Sequence, residues 1–108
     1  MTHRLLTALR VPPEALDEYR RRHEEMDAEV RASIAANGGR NLSIFAAPEW
    51  ECVVMYVEVD DLDAWNRAAS SDTTRRWWAH MAEVMPTHPD LSPIATDLNL
   101  IFHLDDAG

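Results

Sequence analysis

Tyr19 and His23 are the residues whose types and spacing most directly suggest chemistry. They lie four positions apart, so a helix would place them on one face with Cβ atoms about 5–6 Å apart. A buried imidazole costs free energy unless it is hydrogen-bonded, and histidine has an ordinary pKa of about 6.5, which suits proton transfer near neutral pH. We therefore predict a general acid or base at His23. The alternative is a half-exposed histidine that bonds to a backbone carbonyl or to Tyr19.

Two adjacent tryptophans, Trp77 and Trp78, form the second candidate feature. Consecutive helix residues point about 100° apart, so both rings cannot enter one core, and one should face a cleft, a loop or a partner. Aromatic faces pack well against the apolar side of a pyranose, and an indole N–H can donate to a hydroxyl. The pair is therefore a candidate sugar-binding surface, or else one core and one interface tryptophan.

Other chemistries lack the residues that they need. The chain has no lysine, which excludes Schiff-base catalysis by a side-chain amine and a P-loop lysine. Its five histidines show no metal-binding spacing, and a single cysteine, Cys52, excludes an internal disulfide and a zinc site built on cysteine pairs. We expect neither a metal nor a cofactor.

Length and charge narrow the possible partners. The 108 residues predict one domain, residues 1–108, and the formal charge of −9 argues against binding to nucleic acid or anionic membranes. No stretch approaches the roughly 20 apolar residues of a membrane span. We expect a cytoplasmic protein, because a lone cysteine suits a reducing compartment.

The elements that must position these residues follow from hydrophobic periodicity. From Pro13, apolar residues recur at steps of three and four, which predicts one long helix that carries Tyr19 and His23 and ends at Asn37-Gly38-Gly39. A helix over 73–85, capped by Ser70-Ser71-Asp72, carries the tryptophan pair. The other predicted elements are strands at 4–11, 41–47, 50–59 and 96–104, a helix from Asp60 through Ala69, a proline-rich loop at 86–93 and a tail at 105–108.

This order of elements predicts an α+β fold of the ferredoxin-like, split βαβ type. The strands at 41–47 and 50–59 should form a hairpin, and the helices should cover one face of an antiparallel sheet. The other face then needs a cover. In a chain this short, a second copy is the simplest one, so we expect a homodimer.

Several segments together resemble the L-rhamnose mutarotase family, nearly end to end. They are 18–23 (EYRRRH), 41–45 (NLSIF), 65–66 (WN), 70–72 (SSD), 76–81 (RWWAHM) and 84–93 (VMPTHPDLSP). The resemblance implies a dimeric α/β barrel and an isomerase that interconverts the α and β anomers of a 6-deoxy sugar without metal or cofactor. It also implies that His23 is the proton donor. The sugar-binding positions that it implies are Tyr19, Leu42, Trp77 and Trp78.

Two positions depart from the family pattern. Leu42 stands where the family has a tyrosine that contacts the sugar, and Asp27-Ala28-Glu29 stands where the family has Trp-Pro-Glu. L-rhamnose is the first expectation for the substrate, and L-fucose or another aldose is the alternative. Two further alternatives are a cofactor-free monooxygenase that uses the face of Tyr19 and His23 to deprotonate a phenol, and a non-catalytic sugar-binding or dimerisation module.

Overall fold

A four-stranded antiparallel sheet organises the computed structural model, which describes residues 1–104. The strands are β1 (His3–Arg10), β2 (Arg40–Ala47), β3 (Cys52–Val59) and β4 (Ala95–Leu98), and they lie in the order β2-β3-β1-β4. β2 and β3 form the predicted hairpin. The predicted α+β, ferredoxin-like fold is confirmed, and the predicted tail at 105–108 lies outside the described residues.

In the described part of the chain, four helices accompany the sheet: α1 (Leu16–Glu24), α2 (Ala28–Ala36), α3 (Leu62–Arg67) and α4 (Asp72–Met81). Single 3-10 turns lie at Pro13–Ala15, Pro48–Trp50 and Ala68–Ser70. Within residues 1–104, every helix is too short or too polar to cross a lipid bilayer.

The prediction of one helix from Pro13 to the glycine turn was wrong, because the chain breaks between α1 and α2. Asp27 adopts an extended conformation (φ −71°, ψ 162°), and its carboxylate accepts a hydrogen bond from the Val30 N–H at 2.9 Å. It therefore begins a new helix instead of continuing the old one. Periodicity did not reveal the break, because the apolar spacing runs through it from Met26 to Val30.

The final strand is also shorter than predicted. β4 pairs with β1 only from Ala95 to Leu98, and residues 99–104 form no strand. The apolar side chains of that segment are exposed, with Ile101 at 97% and Phe102 at 74%. Alternating hydrophobicity shows that one face of a segment could be buried by a neighbouring element, but within residues 1–104 no element packs on residues 99–104. Likewise α4 ends at Met81 instead of residue 85, although Met85 itself is buried.

Alternation along the strands gives the sheet two different faces. On one face, the core combines Leu9 and Val53 of the sheet with Tyr19 of α1 and Met81 of α4. Their neighbours on the strands point to the opposite face, because strand side chains alternate. That opposite face, called here the open face, carries Leu6, Ala8, Phe45, Val54, Tyr56 and Leu98.

The start of α4 depends on the predicted serine cap. The Ser71 Oγ accepts a hydrogen bond from the Thr74 N–H at 3.1 Å, which satisfies one of the free amides at the helix start. S71A should therefore lower the free energy of unfolding by about 1 kcal/mol, whereas S71T, which keeps the hydroxyl, should change it by a few tenths. Urea titration followed by circular dichroism measures both. Equal stability of S71A and the wild type would contradict the role of this cap.

Candidate functional site

A cavity of about 390 Å³ lies between the helices and the core face of the sheet. It contains all five residues that the sequence singled out: Tyr19, His23, Leu42, Trp77 and Trp78. The sheet contributes mainly apolar side chains, with Thr7 as its polar one, and the helices contribute most of the other polar side chains. The remaining lining residues are Thr7, Leu9, Met26, Val30, Ser33, Ile34, Asn37, Ile44, Met55, Trp65, Ala68, Ala69, Thr73, Thr74, Met81, Met85, Ser92, Pro93 and Ala95.

Among residues 1–104, no residue that lines this cavity is an aspartate, a glutamate or an arginine. This is notable in a chain with 29 such residues, 10 basic and 19 acidic. A cavity without formal charge favours a neutral ligand, because a charged one would be desolvated without a counter-charge. Hydroxyls, indoles and one amide on the walls can still hydrogen-bond a polar ligand.

α1 places Tyr19 and His23 one turn apart on the cavity side, as their spacing predicts. Their ring centroids lie 4.4 Å apart, and the His23 Nδ1 lies 2.9 Å from the Tyr19 carbonyl oxygen. Because a carbonyl can only accept, the neutral imidazole carries its proton on Nδ1 and leaves Nε2 as the proton acceptor. The hydrogen bond to a backbone carbonyl, which the sequence left open as the alternative to a catalytic role, is therefore present. It also determines which tautomer His23 adopts.

Burial perturbs both rings in ways that suit proton transfer. It lowers the pKa of His23 below 6.5, an effect that the nearby Arg31 increases and the bond to the Tyr19 carbonyl opposes. His23 is therefore mainly neutral at pH 7. Burial raises the pKa of Tyr19 to about 12, so the phenol keeps its proton.

The Tyr19 hydroxyl is available to a ligand. Tyr19 is only 6% exposed, and among residues 1–104 its hydroxyl has no hydrogen-bond partner. The hydroxyl oxygen is also not fully buried, because within residues 1–104 every fully buried side-chain nitrogen or oxygen has a hydrogen-bond partner. The free hydroxyl therefore meets the cavity, where a ligand oxygen can accept from it.

Both tryptophans of the adjacent pair border the cavity, although the sequence required only one to face a cleft. Trp77 stands edge-on to His23, with ring centroids 5.2 Å apart and planes at 87°. An open cavity can be lined by two rings that diverge by about 100°, whereas a packed core cannot.

Sequence reasoning missed Trp65 and the methionines as lining residues. Trp65 of α3 reaches the cavity past the turn after α2, where a Cβ on Gly39 would lie 2.7 Å from the Trp65 Cζ3 and 3.0 Å from the Ile34 Cγ2. Gly39 is thus required by close packing. The sequence showed this glycine only as part of a helix stop. Four methionines also line the cavity: Met26, Met55, Met81 and Met85.

The sequence matches a protein-family profile over nearly all of the described residues. The family profile described as L-rhamnose mutarotase covers residues 4–104. An L-rhamnose mutarotase from Opitutus terrae is 43% identical over 88 residues, which is 82% of this chain and 85% of that protein. Another, from Tolumonas auensis, is 38% identical over 94 residues, 87% of this chain and 90% of that protein.

Solved structures share the fold. The crystal structure of an L-rhamnose mutarotase from Formosa agariphila superposes with a TM-score of 0.85 at 24% identity, over 95% of this chain and 99% of that one. An antibiotic biosynthesis monooxygenase superposes with a TM-score of 0.60 at 13% identity, over 94% of this chain and 99% of that one. At these identities, the likeness shows the fold alone.

The environment of His23 generates a direct prediction. Its pKa, followed by the NMR shifts of its ring protons between pH 4 and 9, should lie below 6.5, because burial disfavours the imidazolium. In urea the same histidine should return to about 6.5. Protonated His23 is therefore less stable in the folded protein than in the unfolded one. The stability that neutral His23 contributes to the free energy of unfolding is lost as the pH falls from 6.5 through its lowered pKa. A folded-state pKa at or above 6.5 would contradict this account.

Proposed function

The chain belongs to the L-rhamnose mutarotase family, and from that premise we propose that it interconverts the α and β anomers of L-rhamnose through proton transfer by His23. The observation that carries the proposal is a neutral imidazole beside an un-ionised phenol, in a cavity that no acidic or arginine side chain of the described residues lines. A free sugar is a neutral polyol, and its anomers exchange by ring opening and closure, for which the enzyme has to supply only proton transfers. The proposed enzyme is an isomerase.

A single imidazole can carry out the exchange. Nε2 of neutral His23 accepts the proton of the anomeric hydroxyl. The electron pair left on that oxygen forms the aldehyde carbonyl as the bond from C1 to the ring oxygen breaks. The Nε2–H then donates its proton to the released ring oxygen, and the open sugar rotates about its C1–C2 bond. The same transfers in reverse close the other anomer, so His23 acts as an acceptor first and as a proton donor second.

Tyr19 and the tryptophans supply the positioning. With a pKa of about 12, the Tyr19 hydroxyl can donate a hydrogen bond to the oxygen that gains negative charge during ring opening. Trp77 and Trp78 offer aromatic faces to the C–H groups of the sugar ring. Holding the ring against them brings the anomeric hydroxyl to His23 without a covalent intermediate.

The sheet side of the cavity suits the methyl group of a 6-deoxy sugar. Leu42, Ile44 and Met55 line it with apolar side chains. A methyl group loses nothing on burial there, whereas a hydroxyl at the same position would lose its hydrogen bonds to water. We therefore place C6 against this wall. L-fucose, which is also a 6-deoxy sugar, is the alternative substrate.

Anomer exchange measured by saturation-transfer NMR tests the proposal. Purified protein should accelerate exchange of L-rhamnose, and H23Q should lower the rate about 100-fold or more, because general acid–base catalysis contributes about 10²–10⁴-fold. The matched control is H88Q, which changes an exposed loop histidine. The wild-type rate should also fall as pH drops through the lowered pKa of His23, since the imidazolium cannot accept a proton.

Other outcomes would redirect the assignment. Acceleration of L-fucose alone would move the substrate within the 6-deoxy sugars. No acceleration with any of several aldoses would refute the mutarotase proposal. Oxygen consumption with a phenolic substrate would indicate the monooxygenase, and sugar binding without turnover would indicate a binding module. A folded H23Q variant with full activity would reject His23 as the proton carrier.

We also propose that the protein is a homodimer joined through the open face of the sheet. Two cross-strand rows lie at the centre of that face, one with Phe45, Val54 and Ala8 and the other with Tyr56, Leu6 and Leu98. Phe45 is 62% exposed, and the exposed apolar segment 99–104 continues from the edge strand β4. Contiguous apolar surface of this kind marks an interface, and a second copy offers a self-complementary cover.

Sedimentation equilibrium tests the dimer. The wild type should show about twice the chain mass of 12.3 kDa, and F45D should move toward the monomer, because pairing would bury its carboxylate without a partner. The matched control, A32D, places the same charge on the exposed surface of α2. It should leave the association unchanged. A wild type that stays at 12.3 kDa at all concentrations would refute the proposal.

We propose that the protein is located in the cytoplasm and that its small-molecule ligand is a neutral sugar. Cys52 is unpaired, as suits a reducing compartment. The net charge of −9 disfavours nucleic acid and anionic membranes as partners.

A further inference from the structure

Arg22 stands out among the charged residues around the site. It directly precedes His23 on α1, and its side chain is 14% exposed. The other ion-paired arginines, Arg21, Arg40 and Arg76, are between 43% and 55% exposed. Burying a guanidinium to this degree requires several good hydrogen-bond acceptors, which indicates that the position of this side chain is well defined.

Three strong hydrogen bonds hold the guanidinium. Its Nε donates to Glu18 of the same helix at 2.8 Å. Its Nη1 donates to the Glu83 carboxylate at 2.8 Å and to the His80 carbonyl oxygen at 2.7 Å. The two carboxylates also raise the pKa of Arg22, which keeps it charged. One side chain thus joins α1 to the last turn of α4 and to the segment that follows it.

The bond to the His80 carbonyl stabilises the end of a helix. The last carbonyls of a helix have no partner within it, and a cationic side chain is well suited to bind them. α4 ends at Met81, and its preceding turn carries Trp77 and Trp78. Arg22 therefore contacts the last turn of the helix from which the tryptophans enter the cavity.

Trp77 separates this charged network from the sugar cavity. It lines the neutral cavity and also a second, outer one. The outer cavity is otherwise lined by charged or titratable residues: Arg21, Arg22, Glu25, Asp27, Arg76 and His80. The ion pairs of Arg22 thus lie on the far side of the Trp77 ring from the sugar cavity. There they can join the helices without placing charge beside the ligand.

We propose that Arg22 is a positioning residue that holds His23 of α1 against Trp77 of α4 and so fixes the proton carrier relative to the bound sugar. The inference rests on the proposed mutarotase function. His23 and Trp77 meet edge-on with centroids 5.2 Å apart, and they lie on the two helices that Arg22 joins. Small displacements of a proton carrier are costly, because about 1 Å can change a rate 10²-fold.

A fork-shaped donor is necessary for this task. Nε and Nη1 bind groups on different elements at the same time, whereas a lysine ammonium is a single point charge on a flexible stem. A simple ion pair would tolerate the exchange. R22K therefore separates the two roles, since it keeps the charge and loses the fork.

The test compares R22Q and R22K with R20Q, a matched control on the same helix. Arg20 is exposed and makes no hydrogen bond or ion pair with the described residues. Both Arg22 variants should lower kcat for anomer exchange about tenfold or more, with KM changed less than threefold. R20Q should match the wild type in kcat and KM.

A spectroscopic signature distinguishes positioning from stability. The ring protons of His23 should carry a ring-current shift from Trp77 in the wild type and in R20Q. In folded R22Q and R22K, that shift should move toward the value in urea. If R22Q does not fold, E83A gives the answer, because it removes one acceptor of Nη1 and should produce a smaller change in the same direction.

Three results would overturn the inference. They are a folded R22Q variant with kcat within twofold of the wild type, an R22K variant with full activity, and an unchanged His23 shift in every folded variant. If the wild type itself accelerates no anomer exchange, the proposed function fails. The His23 shift then still decides whether Arg22 positions the imidazole against Trp77.

Discussion

The hydrogen bond from the His23 Nδ1–H to the Tyr19 carbonyl is the interaction on which the rest of the site depends. It satisfies one nitrogen of a mostly buried imidazole, so the ring can remain in an apolar setting at a tolerable cost. The same bond leaves Nε2 as the proton acceptor, while burial keeps the ring neutral by lowering its pKa. One turn of helix therefore supplies the position, the tautomer and the protonation state of the proposed proton carrier. A helix supplies such a bond wherever a histidine side chain turns back toward its own i−4 carbonyl.

The distribution of charge around the cavity is the second constraint. More than a quarter of the residues are charged, yet none of those within residues 1–104 lines the cavity, while the ion-paired Arg21, Arg22 and Arg76 line the outer cavity instead. A neutral polyol meets hydroxyls and indole N–H groups there without competing with strong ionic hydrogen bonds. The shared fold does not decide this chemistry, since the same architecture occurs in an antibiotic biosynthesis monooxygenase. What decides it is the set of side chains placed in the cavity.

Two of the errors in the predicted elements, the single long helix and the long final strand, have clear physical causes. Periodicity follows the apolar face of a helix, and that face continues across Asp27, where the side chain captures the Val30 amide and begins a second helix. A cap of this kind is a competition between hydrogen bonds that an apolar count does not register. Alternation over 96–104 likewise shows which residues would share a face of a strand. It does not show whether a neighbouring strand is present, and β4 ends at Leu98.

The sequence by itself determined the order of the strands, the hairpin and four of the residues that lie in one cavity, Tyr19, His23, Trp77 and Trp78, whereas Leu42 was indicated only by the family resemblance. These properties depend on local spacing and on residue chemistry, which a linear pattern records. Only the tertiary structure decided that Trp65 joins the cavity past Gly39, that both rings of the tryptophan pair face it, and that Arg22 joins α1 to α4. Each of these depends on contacts between residues far apart in the chain. Local spacing does not encode such contacts, because they exist only after the helices have packed against the sheet.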